Sequence, residues 1–343
     1  MKDFGSDFHL CNHIKKGQSF VDIIGDANYY ADGRHAIVSL INHLRLKRIW
    51  MPYYFCYEVI ANIKRTGVEV LFYDDYPIIS NKIEFNNSNF REDDALFLMN
   101  YYGLRDKRVY SNINIPIIED HSHDLIGEWS LKSKADWCVA SLRKTLPISE
   151  GGVLWSPKKH ILPKKPSRTI ENDYLSKKRF EAMKIKASYL NDENLVDKDG
   201  FRKLYIETEE LFDNLPISLI SDDSFQIIQD LDIKWWYDLK KENWKFLANQ
   251  EYKNAEVLIP ESDKSYPFTF VLKFDNNEIR NRLRFNLIES RVYPAILWSV
   301  PDNLEEKYKD FTNTMLSIHC DARYNLDEIK ELYSKIISAI EFE

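Results

Sequence analysis

The chain has 343 residues, of which 44% are hydrophobic and 29% are charged, a balance typical of a globular protein and not of a disordered or fibrous one. This length allows one large or two moderate domains with a sizeable buried core. The formal net charge of −7 argues against a general nucleic-acid binder, whose surface should be basic.

The cysteines and the hydropathy of the chain bear on its cellular location. The cysteines show neither a CxxC motif nor the Cys/His spacing of a zinc site, so we expect reduced thiols and no metal site. The N-terminus lacks the apolar core of a signal peptide, and no run of about 18 apolar residues could span a bilayer. We therefore expect a cytoplasmic protein without a nucleic-acid or membrane partner. The cysteines are Cys11, Cys56, Cys138 and Cys320.

Helices and strands alternate in the predicted elements of the first 155 residues. After a polar N-terminal arm, apolar residues at helical spacing predict an amphipathic helix that begins at Gly33 and Arg34. The alternation that follows predicts a mostly parallel sheet. The predicted strands are 48–52, 68–75, 95–100, 115–120 and 137–141, and a second helix is predicted at 57–67.

Two of these strands end in polar residues, Asp120 and Ser141. The carboxyl ends of parallel strands are where such sheets place their ligands, so we expect both side chains at a ligand site.

The second half of the chain is predicted to be helical and charged from about residue 170 to 245, and α+β thereafter. We place a large domain at 1–240 and a small C-terminal domain at 241–343. In the small domain the predicted strands are 268–274, 292–298 and 314–320, and the predicted helices are 277–290 and 326–342.

Lys144 and Asp120 each follow an apolar run. Pyridoxal phosphate chemistry requires an amine that forms a Schiff base and an anion that keeps the ring nitrogen protonated. The lysine must lose its proton to react, which a low-dielectric site or a cationic neighbour such as Arg143 promotes. Taken alone, Lys144 is typical of an exposed loop lysine and Asp120 of a helix-capping carboxylate; together they favour a cofactor site.

These residues resemble the fold type I pyridoxal phosphate enzymes, and within them the DegT/DnrJ/EryC1/StrS aminotransferase family. In that family a strand ends in Glu-Asp and a His or Gln follows three residues later, as Glu119, Asp120 and His123 do here. The family's lysine precedes Glu-Gly-Gly at a fixed interval, as Lys144 precedes residues 150–152. The resemblance implies an α/β fold whose mostly parallel sheet is flanked by helices, with a small C-terminal α+β domain.

The resemblance also implies how pyridoxal 5'-phosphate binds. Asp120 would hold the ring nitrogen, and His123 would lie beside the ring or its phenolic oxygen. The phosphate would lie at the helix start formed by Gly33 and Arg34, where the family has Gly-Thr; an ordinary helix N-cap is the alternative. Ser141 stands three residues before the lysine, an arrangement of other fold type I aminotransferases that differs from the longer spacing of the sugar-specific members.

Two further candidate sites are a pair of aromatic residues and an arginine. Tyr54 and Phe55 are candidates to stack on the cofactor ring, with Cys56 as another aligned position and core packing as the alternative role. Arg323 is a candidate clamp for a substrate carboxylate, and a surface salt bridge with Asp321 is its alternative.

Residues 157–186 carry ten Lys or Arg against three acids. This segment is either a solvated lysine-rich excursion or a patch that faces a phosphorylated or nucleotide-linked substrate.

The resemblance predicts a pyridoxal phosphate-dependent aminotransferase. Glutamate is a candidate amino donor and a nucleotide-linked sugar a candidate keto acceptor. A lyase or decarboxylase with the same cofactor, and a non-catalytic protein that keeps the fold, remain as alternatives. The resemblance also implies a homodimer with its active site at the interface, and small molecules as its substrates.

Overall fold

The structure is a computed structural model that describes residues 3–11, 14–78, 85, 89–108, 113–193, 196–212 and 214–341. Among these residues the strands are β1 (Phe4–Gly5), β2 (Ala27–Tyr30), β3 (Arg48–Pro52), β4 (Glu69–Tyr73), β5 (Asp94–Met99), β6 (Ile117–Asp120), β7 (Trp137–Ser141), β8 (Gly152–Trp155), β9 (Ala255–Val257), β10 (Phe270–Phe274), β11 (Val292–Tyr293) and β12 (Met315–Ile318).

Helices cover the sheets and form most of the second half of the described chain. They are α1 (Phe20–Ile24), α2 (Gly33–Leu44), α3 (Tyr57–Lys64), α4 (Glu128–Leu131), α5 (Ile170–Asn191), α6 (Lys198–Phe212), α7 (Asp222–Asp230), α8 (Ile233–Ala248), α9 (Asn277–Glu289), α10 (Glu306–Thr314) and α11 (Leu326–Glu341). No helix formed by the described residues is both long enough and apolar enough to cross a membrane.

The central sheet of the described chain has seven strands in the order β2-β8-β7-β6-β5-β3-β4. β8 runs antiparallel to both of its neighbours, and the pairs from β7 to β4 are parallel. The mostly parallel sheet predicted from the sequence is therefore confirmed. The parallel pairing brings the carboxyl ends of β6 and β7 to one edge, where Asp120 and Ser141 end their strands.

β5 shows why the sheet is covered on both faces. All six of its residues are buried. Leu96 and Leu98 pack into one hydrophobic core, whereas Ala95, Phe97 and Met99 pack into another. Since successive strand residues point to opposite faces, each face of the sheet carries its own core and needs its own layer of helices.

The small C-terminal unit is built on an antiparallel sheet of order β12-β10-β9. Phe270 and Leu272 of β10 pack against Ile329 and Leu332 of α11 in a third core. An α+β arrangement is confirmed here. The predicted boundary between residues 240 and 241 falls inside α8 and stays a prediction. The last residue of the predicted helix 326–342 lies outside the described residues.

Two segments differ from the sequence prediction. β2 lies within the predicted polar arm, although all four of its residues are buried. The predicted strand 292–298 pairs as a strand only over β11. Pro294 follows immediately and has no N–H for a sheet ladder, so the chain leaves the strand there and runs on to Leu297 and Trp298.

Candidate active site

A cavity of about 250 Å³ lies at the carboxyl ends of β6 and β7, where α2 begins. We call it the central cavity. Six residues singled out from the sequence line it together: Gly33, Arg34, Phe55, Asp120, Ser141 and Lys144. Cys56, the other aligned position for a stacking side chain, lines it as well.

Asp120 is a buried carboxylate without a cationic partner among the described residues. Its side chain is held by the backbone N–H of Ser122, which donates to Oδ1 at 2.8 Å. Only 6% of the residue is exposed. A buried charge of this kind is costly unless a counter-charge meets it, so the position favours a cationic group inside the cavity.

Lys144 ends a single helical turn that follows β7. Its Nζ lies 5.3 Å from the centre of the Trp298 ring and makes no hydrogen bond or ion pair with a residue that the structure describes. Trp298 lines the same cavity and was not predicted as a site residue. The cavity therefore exposes the amine of Lys144 and the buried carboxylate of Asp120, neither of them in an ion pair with a described residue, to a molecule that fills it.

The start of α2 packs closely on the ends of β7 and β8. A Cβ added to Gly33 would lie 3.0 Å from the Cβ of Ser141, and one added to Gly152 would lie 2.3 Å from the carbonyl oxygen of Asp32. Gly152, the second glycine of the Glu-Gly-Gly motif, thus lets α2 approach the sheet, which brings the helix N-terminus to the cavity.

Charged groups surround this helix N-terminus. Asp32 caps α2 by accepting the Arg34 N–H at 2.8 Å. Burial alone would raise the pKa of Asp32, but the guanidinium groups of Arg34 and Arg143 outweigh burial and lower that pKa. Glu209 of α6 accepts a hydrogen bond from Arg143 at 2.7 Å and lies 3.9 Å from Arg34. Glu209 was not predicted as a site residue, and it lies 66 residues from Arg143 along the chain.

Glu150 of the Glu-Gly-Gly motif is fully buried. Its Oε1 accepts the backbone N–H of Ser221 at 2.9 Å, while Oε2 has no hydrogen-bond partner among the described residues. Burial raises the pKa of Glu150 to about 7, against the weaker lowering by hydrogen bonds from Ser221 and Ser224.

The raised pKa of Glu150 predicts a pH dependence of stability. The folded protein binds this proton more tightly than the unfolded chain does, so Glu150 costs stability progressively as pH rises from 4.5 to about 7. Glu150→Gln should remove this slope and raise the free energy of unfolding above pH 7 by on the order of 3 kcal/mol. Urea denaturation across this pH range measures it, with the exposed Glu210→Gln as the matched control. Parallel curves for wild type and Glu150→Gln would contradict the prediction.

Tyr54 does not line the central cavity, so its role as a stacking residue stays a prediction. Its hydroxyl donates to the carbonyl of Leu297, and its ring packs against Phe311 at 5.3 Å between centroids. Phe55, the next residue, lines the cavity instead. Tyr54 thus takes the core-packing role that the sequence left open.

His123 also lies outside the cavity wall. Its ring is stacked on Phe268 at 4.4 Å and on Trp298 at 5.4 Å between centroids, and it is fully buried. Its Nδ1 accepts the backbone N–H of Tyr102 at 2.9 Å. Trp298 lines the cavity, and the His123 ring packs against Trp298 without lining the cavity itself.

Arg323 is committed to other groups. Its guanidinium forms a bidentate pair with Asp321 at 2.8 and 2.9 Å and donates to the carbonyl of Asp7 at 2.9 Å. The predicted salt bridge is therefore present, but it is buried and not on the surface. It holds the N-terminal arm, residues 3–11, and does not reach the central cavity.

The basic segment 157–186 divides into two parts. Lys164 and Lys165 are exposed, as a solvated excursion would have them. Arg179 and Lys186, in contrast, are 4% and 3% exposed. Lys186 donates to the carbonyl of Asp7 at 2.6 Å, so this end of the segment binds the N-terminal arm. A role of the exposed lysines toward a phosphorylated substrate stays a prediction.

Glu119, His121 and Cys138 form a buried group whose donor atoms all lie within 4.8 Å of one another. Sequence spacing did not reveal it, because Glu119 and Cys138 are paired across β6 and β7. The Glu119 carboxylate already accepts hydrogen bonds from His121 at 3.0 Å and Ser133 at 2.6 Å. Such donors also suit a metal ion, so the expected lack of a metal site stays a prediction.

The central cavity fits pyridoxal phosphate. The unpaired carboxylate of Asp120 suits a protonated ring nitrogen, and the unpaired amine of Lys144 suits the aldehyde. The start of α2, with Arg34 and Arg143 beside it, suits the phosphate. Phe55 and Trp298 offer aromatic surfaces for the ring.

No protein-family model matches the chain, and no curated protein matches its sequence. Solved structures do match its fold. The aminotransferase PseC of Helicobacter pylori, involved in pseudoaminic acid biosynthesis, is 12% identical with a TM-score of 0.62, over 99% of this chain and 100% of PseC. A DegT DnrJ EryC1 StrS aminotransferase from Brucella abortus is 11% identical with a TM-score of 0.57, over 93% and 87% of the two chains.

A third match carries a different activity in its description. It is a putative O-acetylhomoserine (thiol)-lyase from Campylobacter jejuni with a pyridoxyl-lysine, 15% identical with a TM-score of 0.56, over 94% of this chain and 84% of the other. At these identities the matches establish the fold and leave the reaction open. The chain has the α/β fold of the fold type I pyridoxal phosphate enzymes, with a seven-stranded sheet and a small C-terminal antiparallel sheet.

Proposed function

We propose that the protein is a pyridoxal phosphate-dependent aminotransferase. The observation that carries the proposal is that Lys144 and Asp120, both without a charged partner among the described residues, line one cavity. Other fold type I enzymes place a lysine and an aspartate in these roles, and the matched structures include proteins described as aminotransferases.

The bound cofactor would supply an electron sink for the bond broken at the substrate carbon. Asp120 would keep a positive charge at the ring nitrogen, which strengthens that sink. Lys144 would hold the cofactor and then, as a free amine, move a proton at the substrate carbon. Arg34 and the N-terminus of α2 would bind the phosphate.

The overall reaction exchanges an amine for a carbonyl. The donor's carbon loses its hydrogen and amino group and becomes a carbonyl carbon, while the acceptor's carbonyl becomes a carbon that bears hydrogen and an amino group. The donor would be an amino acid, for which glutamate is one candidate. For the acceptor we propose a keto compound, and a nucleotide-linked sugar is the candidate that the family resemblance suggests.

A transfer assay tests the proposal. The full chain is loaded with pyridoxal phosphate and mixed with glutamate and other amino acids, and the keto product and the visible spectrum are followed together. An aminotransferase gives one equivalent of keto acid per site and loses its visible band until a keto acceptor restores it. Ammonia with an elimination product would contradict the proposal and indicate a lyase. A band that no amino acid changes would contradict it in favour of a binding protein.

The predicted homodimer, with its active site at the interface, is part of the same proposal. Light scattering of the full chain should give about twice the 40.7 kDa of one copy. A monomer that still catalyses transfer would contradict a shared active site.

A further inference from the structure

A second cavity of about 310 Å³ borders the central cavity. We call it the arm cavity, because Ser6, Asp7 and Phe8 of the N-terminal arm form part of its wall. Four residues line both cavities and separate them: Arg143, Lys144, Leu297 and Trp298. A molecule in either cavity can therefore contact Lys144.

The charged groups of the arm cavity favour an anion. Arg143, Lys144 and Arg179 line it together with one carboxylate, Asp7. Arg179 neutralises Asp7, since its Nη2 donates to Oδ1 of Asp7 at 3.0 Å. Arg143 is paired with Glu209, which does not line the arm cavity, so the positive charge that remains lies at Lys144 and at the free N–H groups of Arg143, in the wall shared with the central cavity.

Arg143 has hydrogen-bond donors to spare. Its Nη2 donates to Glu209, whereas Nε is buried without a partner and Nη1 makes no hydrogen bond with a described residue. Arg179 is more fully engaged, because Nε donates to the carbonyl of Ser149, Nη1 to Thr208 and Glu209, and Nη2 to Asp7. Arg143 is thus the side chain that can take up a carboxylate.

Apart from Ser6, Tyr205 and His319, the rest of the wall is apolar and offers few partners to a sugar. Its apolar side chains are those of Phe8, Ile148, Met183, Phe268 and Ala295, besides the shared Leu297 and Trp298. The hydroxyl of Tyr205, which also lines the cavity, already donates to the carbonyl of Phe8 at 2.6 Å. The hydroxyl groups of a sugar would lose their hydrogen bonds to water here without replacement.

We infer that the arm cavity is the substrate pocket and that it takes a small amino or keto acid with one carboxylate and an apolar body, the carboxylate bound by Arg143. The assignment as a substrate pocket rests on the proposed function, whereas the carboxylate site rests on the cavity alone. The volume lies at the lower end of small-molecule pockets, about 300 to 1,000 Å³, which suits one amino acid better than a sugar joined to a nucleotide.

Isothermal titration calorimetry of the full chain tests this inference with three probes: 3-phenylpropanoate, its uncharged amide, and UDP-glucose. The acid should bind at least about tenfold more tightly than the amide, because hydrogen bonds to charged groups are the stronger ones. UDP-glucose should not compete with it. Equal binding of acid and amide, or displacement of the acid by UDP-glucose, would overturn the inference.

Two variants locate the site. Arg143→Met should weaken the binding of 3-phenylpropanoate about 10- to 100-fold and leave the affinity for the amide unchanged. The control Arg168→Gln, outside both cavities, should change neither affinity. Should Arg143→Met fail to fold, Ala295→Phe fills the arm cavity without a change in charge and should abolish binding of both probes. Unchanged binding of the acid by Arg143→Met or by Ala295→Phe overturns the inference.

Failure of this inference can be told apart from failure of the proposed function. If the chain reacts with pyridoxal phosphate but binds 3-phenylpropanoate independently of Arg143, the carboxylate site is wrong and the proposed function stands. If the chain does not react with pyridoxal phosphate but binds 3-phenylpropanoate through Arg143, the proposed function is wrong and the carboxylate site stands.

Discussion

Lys144→Arg is expected to lose the visible absorbance of bound pyridoxal phosphate and to reduce amino transfer by at least about 10³-fold. Arginine keeps the positive charge beside Trp298 but stays protonated and cannot react with an aldehyde. Lys144 faces the cavity without a hydrogen bond to any described residue, so the substitution should leave the melting temperature of the cofactor-free protein within a few degrees of wild type.

The matched control is Lys158→Arg. Lys158 is an exposed lysine that pairs with Asp136 at 2.9 Å, outside both cavities. This variant should keep the absorbance and the activity of wild type. Near-normal turnover by Lys144→Arg would rule out the role assigned to Lys144, and an equal loss in both variants would indicate a general effect of lysine replacement.

Asp120→Asn should bind the cofactor and reduce amino transfer by about 10²- to 10³-fold, because it removes one preorganised charge beside the reacting group. The asparagine Oδ1 can still accept the N–H of Ser122, so the loop after β6 should keep its conformation. Single-turnover rates with glutamate measure the chemical step, and a titration of the cofactor spectrum shows whether the ring nitrogen keeps its proton.

A second readout separates this role from a structural one. Without cofactor, Asp120 is a buried charge without a counter-ion among the described residues, so Asp120→Asn should melt at the same temperature as wild type or higher. The exposed Asp327→Asn serves as the control and should leave activity unchanged. An Asp120→Asn protein that melts well below wild type, or one that turns over at the wild-type rate, would contradict the assignment.

Residues near one another in sequence, and those at strand ends, could be predicted. Asp120 and Ser141 follow apolar runs, and a parallel sheet brings such strand ends together. Gly33 was predicted from helix-start chemistry, and α2 begins there. These positions depend on local patterns and on one general rule of sheet topology.

The missed residues depend on tertiary packing between distant segments. Trp298 lines the cavity after the chain leaves β11 at Pro294, and its ring centre is 5.3 Å from the Nζ of Lys144. Glu209 reaches Arg143 because α6 packs over the helix start. No periodicity or motif in a single sequence encodes such contacts.

Tyr54 and His123 pack behind the wall of the central cavity and do not line it, and their predicted contacts with a cofactor stay predictions. Each lies next to a residue or ring that does line the cavity, Phe55 in one case and Trp298 in the other. Motif spacing gives the position of a residue, whereas the neighbouring rings decide which side chain fills the wall and which one packs behind it.

Chemical trapping identifies the lysine that reacts with pyridoxal phosphate. The full chain is incubated with pyridoxal phosphate, reduced with borohydride, digested and mapped by mass spectrometry. We expect a stoichiometric pyridoxyl group on Lys144 and its loss in Lys144→Arg. A label spread over surface lysines such as Lys164 and Lys165, with Lys144 unmodified, would contradict this expectation.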